Sequence, residues 1–255
     1  MTRLAPIVAP IALLAVLLGF WELICRMLAL PPYLLPPPSM ISLAAVQNLP
    51  LLAASAWTTL STALIALVWA SVLACLLAIV VAINPLIELS VRPLVTTLQV
   101  TPIVAIAPLV TIWAGLDHPE RAILVLAVVV AFFPIFSGAL TGLKSADPDL
   151  ERLFDLYGAS RPQRLIRLRL PAAVPFILEG HKVAAGLALV GAVVAEFVAG
   201  SGDSQGLAWR ILEAQHRLET AKMFAALLVL AVMGVALYGV MQAVERIILR
   251  RWRGR

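Results

Sequence analysis

Charge is what this sequence has least of. Only 13% of its 255 residues are Asp, Glu, Lys or Arg, while 62% are hydrophobic. Soluble domains carry roughly a quarter charged residues, so a soluble globular protein is excluded. Cysteine is scarce too: Cys25 and Cys75 both fall inside apolar runs. That excludes a disulfide framework and leaves buried thiols as the plain reading. The three histidines, His118, His181 and His216, are scattered without ligand spacing, so no metal site is expected. No G-x-x-x-x-G-K-[ST] run occurs, hence no nucleotide-binding P-loop. Nor is there a grouped nucleophile, acid and base, so no catalytic residue is assigned.

What the chain has is long uncharged runs. No charge occurs between Arg26 and Glu88, Arg92 and Asp117, Arg121 and Lys144, or Lys222 and Glu245. Each gap holds at least one stretch of the roughly 20 residues that cross a bilayer as a helix. The first gap is divided at Leu30-Pro-Pro-Tyr-Leu-Leu-Pro-Pro-Pro-Ser39, where prolines force a turn. The pattern predicts spans over about 7–28, 57–83, 94–115, 121–143, 174–199 and 222–245. The expected fold is an all-α integral membrane protein of six transmembrane helices. It is read as one domain over 1–255, with a core region of about 55–250. Arg3 and the run 7–18 also suit a signal peptide, but the apolar stretch continues to Leu30 without a clean cleavage site, so a retained span is expected.

Lys and Arg set the orientation. With both termini cytoplasmic, the inner side carries Arg3, Arg92, Lys144, Arg152, Arg161, Arg164, Arg167, Arg169, Arg246, Arg250, Arg251, Arg253 and Arg255. The outer side carries Arg26, Arg121, Arg210, Arg217 and Lys222, and Lys182 lies inside the fifth span. Thirteen against five is a positive-inside asymmetry. The net charge of +5 is therefore topological, and the basic tail reads as an anchor at anionic headgroups rather than a nucleic-acid contact.

One cytoplasmic loop is different in kind. Asp147 suits an N-cap, Pro148 the first helical position, and Asp149 and Glu151 the positive end of a helix. Leu150, Leu153, Phe154 and Tyr157 then share one helix face, and Gly158 is placed to end it. The stripe could lie in the headgroups or anchor a partner's groove. Four acids in 147–155 favour the partner over an anionic leaflet. Arg161, Arg164 and Arg167 follow at spacings of three, as in a basic interfacial helix, and Leu170-Pro171 is read as its end.

Gly158, nine residues, then Leu168-Arg-Leu-Pro171 resembles the loop signature of permease subunits of binding-protein-dependent ABC importers. Arg152-Leu-Phe154 stands where Glu-Ala-Ala is usual, with Glu151 one position early. The proline turn, Thr101-Pro102, Ala107-Pro108-Leu109 and Ala195-Glu-Phe-Val-Ala-Gly-Ser-Gly202 are similar to the nitrate, sulfonate and taurine group. Its relatives import thiamine-precursor pyrimidines or riboflavin, toward which Glu-Phe-Val-Ala-Gly leans. The likeness covers about 30–250.

The resemblance implies a type I importer permease fold in the cell inner membrane, with a cytoplasmic coupling helix. The implied partners are a second permease copy, two cytoplasmic ABC ATPases and a periplasmic or extracellular substrate-binding protein. ATP and Mg would reside on the ATPases, with no cofactor on this chain. The coupling set is then Asp149, Leu150, Glu151, Leu153, Phe154, Tyr157, Gly158, Ala159, Leu170 and Pro171.

Polar residues inside spans are candidate pathway groups. Gln99, Thr101, Pro102 and Pro108 lie in the third span, which lines a pathway or simply packs. Glu196, near the outer end of the fifth span, is either a gate residue or an interfacial acid paired with Arg210 or Lys222. Glu179 and Lys182 fit an i,i+3 ion pair. Beyond a flexible 200–206, the stretch 207–218 reads as an external helix lying on the membrane, with Glu213 and Arg217 four apart. Gly138-x-x-x-Gly142 and Ala184, Ala188 and Ala192 offer close-packing faces. The rival reading is a secondary carrier that couples through Glu179, Lys182 and Glu196.

Overall fold

A computed structural model describes residues 5–115, 117–199 and 205–253. Gly200–Ser204, within the stretch expected to be flexible, lies outside the described residues, as do Arg3 and Arg255. The regular structure of the described residues is all helical, in eleven α-helices and one π turn. Five helices are long and apolar enough to cross a membrane, or six if one bent pair counts as a span.

The helices are α1 (Ala5–Met27), α2 (Pro38–Gln47), α3 (Leu49–Ile83), α4 (Pro85–Val100), α5 (Ile103–Ala114) and α6 (Pro119–Leu143). Then come α7 (Pro148–Leu156), α8 (Arg161–Arg164), the π turn Leu165–Arg169, α9 (Leu170–Ala199), α10 (Leu207–His216) and α11 (Thr220–Arg253). Two compact units divide the chain: Met1–Trp57 with Gln205–Ala231, and Thr58–Ser204 with Val232–Arg255.

Three expectations need correction. The third span is not one helix: α4 and α5 are bent by 101° at Thr101-Pro102. A residue before proline is driven out of the helical region, and Thr101 is extended at φ −72, ψ 124. Leu170-Pro171 ends nothing, because the helix runs through it into α9. The Leu170 N–H bonds the Leu165 carbonyl five residues back, and that widened turn makes room for the proline ring. Finally, α10 does not merely lie on a surface: Leu207, Ala208, Ile211 and Ala214 are buried.

In the first unit, the Glu22 carboxylate takes a hydrogen bond from Arg26 at 2.7 Å and receives the Ser39 N–H (3.0 Å) and hydroxyl (2.8 Å). Glu22 thus ties the end of α1 to the start of α2, across the proline turn. Thr220 donates to the Tyr33 carbonyl at 2.8 Å, and Trp21 packs on Phe224 with centroids 5.7 Å apart. On α10, Arg210 donates to the Ser55 hydroxyl at 3.0 Å and to Glu213 at 2.9 Å. Arg217 completes the expected i,i+4 pair with Glu213, also at 2.9 Å.

The Arg210 hydrogen bond, with Arg217 and Lys222 nearby, holds the Glu213 carboxyl below its ordinary value of 4.5. A depressed folded pKa adds stability that is present above the ordinary value and lost as pH falls through the lowered one. The melting temperature should therefore hold from about pH 7 to about pH 5 and decline below that. Glu213→Gln should soften that decline, as read by scanning fluorimetry across pH.

The second unit is built on α6 and α9, whose backbones almost touch. A Cβ on Gly138 would meet the Phe176 carbonyl oxygen at 2.6 Å, and one on Gly180 the Pro134 carbonyl oxygen at 2.7 Å. Ala184, Ala188 and Ala192 are fully buried, as are Ala66, Ala70, Ala74 and Ala78 along α3. In lipid, helices associate by van der Waals fit rather than by hydrophobic transfer, so small residues form the seams.

Candidate functional site

Helix α7 is local chemistry before it is a site. The Asp147 carboxylate accepts from the Asp149 N–H at 2.9 Å, and Gly158, at φ +62, takes the left-handed conformation that stops the helix. Ser160 and Gln163 then close a capping box that starts α8. The charges of α7 turn back on the protein. Arg169 donates to Glu151 at 2.7 Å and to the Ala82 carbonyl at 3.4 Å, while Arg164 pairs with Asp155. Arg152 donates along its own helix, to Asp149 at 3.0 Å.

The apolar side is left uncovered. Leu150 and Leu153 are 45% and 44% exposed, Leu156 and Tyr157 84% and 82%. Leu153, Phe154, Tyr157, Ala159, Gln163 and Arg167 line a groove of about 290 Å³. Leu170 and Pro171 lie apart from it, at the start of α9, where Leu170 packs on the core.

A larger open cavity of about 690 Å³ lies among α4, α5, α6 and α9. Its polar wall is Gln99, Thr101, Ser137, Thr141 and Glu179, beside Phe133 and Phe176. Glu179 receives a hydrogen bond from Lys182 at 2.5 Å, the expected i,i+3 pair, and Lys182 also donates to Glu245 at 3.0 Å. Glu196 lies elsewhere, only 2% exposed, and accepts from the Thr59 hydroxyl at 2.8 Å. Arg210 and Lys222, its expected alternatives, bond to Ser55 and Glu213 and to Glu219 respectively.

Residues 70–253 match the sequence profile of the family described as "Binding-protein-dependent transport system inner membrane component". The chain belongs to that family. It is 30% identical to the formylaminopyrimidine transport permease protein ThiX of Halalkalibacterium halodurans, over 96% of this chain and 95% of that protein. It is 31% identical to the riboflavin transport system permease protein RibX of Chloroflexus aurantiacus, over 93% and 87%. It is 29% identical to the taurine transport system permease protein TauC of Escherichia coli, over 96% and 89%. It is thus a multi-pass ABC importer permease of the nitrate, sulfonate and taurine group, whose relatives are transport subunits rather than enzymes.

Of the permease residues named for a pathway, Gln99 and Thr101 share the cavity. Pro102 caps α5, Pro108 sits within that helix, and Glu196 is separate. Nothing in the sequence singles out Ser137, Thr141 and Phe176, because a lone hydroxyl or ring in an apolar run carries no periodic signal. Leu156 was findable, three residues beyond Leu153. Glu245 was not, because its bond to Lys182 spans 63 residues.

Proposed function

We propose that the chain is the pathway-forming subunit of an ATP-driven importer and moves a small organic or anionic solute by alternating access. The observation that carries this is α7. Its apolar side chains stand uncovered while Glu151 and Asp155 are fastened to the chain that enters α9. A short helix fixed at its charged side and open at its apolar side suits a partner's groove. In this reading the partner is a cytoplasmic ABC ATPase, one for each of two permease copies, and ATP and Mg reside there. A substrate-binding protein delivers the solute from outside. The whole chain, 1–255, acts as one permease domain in the inner membrane with both termini cytoplasmic. The bent α4–α5 pair makes the sixth span.

The cavity supports a pathway. Ser137, Thr141, Gln99 and Glu179 lie at positions within or beside apolar spans and line its wall. Polar groups there need water or protein rather than lipid. Of the charges assigned to a secondary carrier, Glu179 and Lys182 are engaged with each other and with Glu245, while Glu196 lies elsewhere on Thr59, so they form no single coupling cluster.

Leu153→Asp with Phe154→Asp puts two carboxylates where the groove would close, at about 1–3 kcal/mol each or more. Co-purification with the ATPase should fall at least tenfold, while membrane insertion stays normal. Wild-type co-purification in that variant overturns the docking role.

A further inference from the structure

The walls of the 690 Å³ cavity carry a charge bias that bears on what passes through it. Among the described residues, no Lys, Arg or His lines it. Its one ionisable wall group is Glu179, and the cation bonded to Glu179, Lys182, is shared with Glu245. Two carboxylates around one ammonium leave a net negative charge beside the cavity. The remaining polar groups, Gln99, Thr101, Ser137 and Thr141, are an amide and three hydroxyls, and Phe133 and Phe176 add ring faces.

A sulfonate or sulfate taken from water must replace its hydration with donors or positive charge, and this wall offers only neutral donors, set beside the Glu179 carboxylate that repels it. A ring bearing an amine finds a carboxylate acceptor, neutral hydrogen-bonding groups and aromatic surface on which a cation is also favoured. We infer that the cavity selects a neutral or cationic, amine-bearing ring compound and disfavours a sulfonate anion. This inference rests on the permease reading and narrows its solute class.

The test measures the cavity's preference directly, without the binding protein choosing first. Ser137→Cys is introduced with Cys25→Ala and Cys75→Ala, and the intact permease–ATPase complex is purified. The introduced thiol, the permease subunit's only one, is then modified by a trimethylammonium-bearing or a sulfonate-bearing methanethiosulfonate and read on the separated permease subunit, each rate normalised to that of a free thiol peptide. The cationic reagent should react faster by on the order of tenfold at low salt. The ratio should shrink at high salt and collapse with Glu179→Gln. Equal normalised rates, or a faster sulfonate reagent, overturn the inference.

The same rates are measured with and without a non-hydrolysable ATP analogue. If nucleotide changes accessibility but charge preference is absent, the solute class is wrong and the permease reading stands. If accessibility ignores nucleotide, the alternating-access reading falls, and the inference with it.

Discussion

Gly142→Val should leave little folded protein. A Cβ at Gly142 would lie 2.8 Å from the Ala173 Cα, 2.9 Å from its carbonyl oxygen and 2.9 Å from the Phe176 Cβ. Two of those atoms are backbone, so no rotamer change relieves the clash, and α6 must lift away from α9. Overpacking a tight core costs about 1–3 kcal/mol when side chains can adjust, and here they cannot. Even Gly142→Ala should lower the melting temperature. Gly186 is the control, since nothing lies within 4 Å of a Cβ there. Gly186→Ala is the same chemical change on α9 and should be neutral or slightly stabilising. Yield of the monodisperse peak after detergent extraction reads both. Equal yields for the two alanine variants would mean that α6 and α9 do not share this seam.

Glu151→Lys should uncouple the transporter without preventing its assembly. Glu151 turns toward its own chain: its carboxylate is held by Arg169, which also reaches the Ala82 carbonyl near the end of α3. One guanidinium therefore joins α7 to the π turn and to α3. Both side chains are partly shielded, 22% and 32% exposed, so the pair outranks an open surface ion pair. A lysine side chain there meets Arg169 with like charge and frees that end of the handle. ATP hydrolysis should persist while solute uptake per ATP falls about tenfold, for roughly 1.4 kcal/mol of lost coupling. Glu151→Arg with Arg169→Glu should restore much of the uptake. If the reversed pair behaves like the single variant, Glu151 acts on the partner rather than on Arg169.

These two sites show what the sequence makes legible. Gly138-x-x-x-Gly142 was visible as a close-packing face because small residues four apart align on one helix side. That Ala173 and Phe176 meet it was not, since nothing local in a chain states which helix lies opposite. Helix α7 could be read almost residue by residue from its cap, its stripe and Gly158, all of which are local signals. Its Glu151–Arg169 tie spans 18 residues and looked like an early copy of the usual Glu. The α4–α5 bend was hidden in plain view. Proline in a lipid-soluble run predicts a kink, but the size of the turn depends on neighbours that accept the freed backbone groups.

We propose that α7 binds an ATPase rather than the headgroups, a choice that its four acids favour without deciding. Leu156, at 84% exposure, stands where both roles would cover it. A benzophenone side chain placed at position 156 and irradiated in intact membranes separates them. A covalent adduct with the ATPase subunit is the predicted product. Adducts with lipid alone would contradict it.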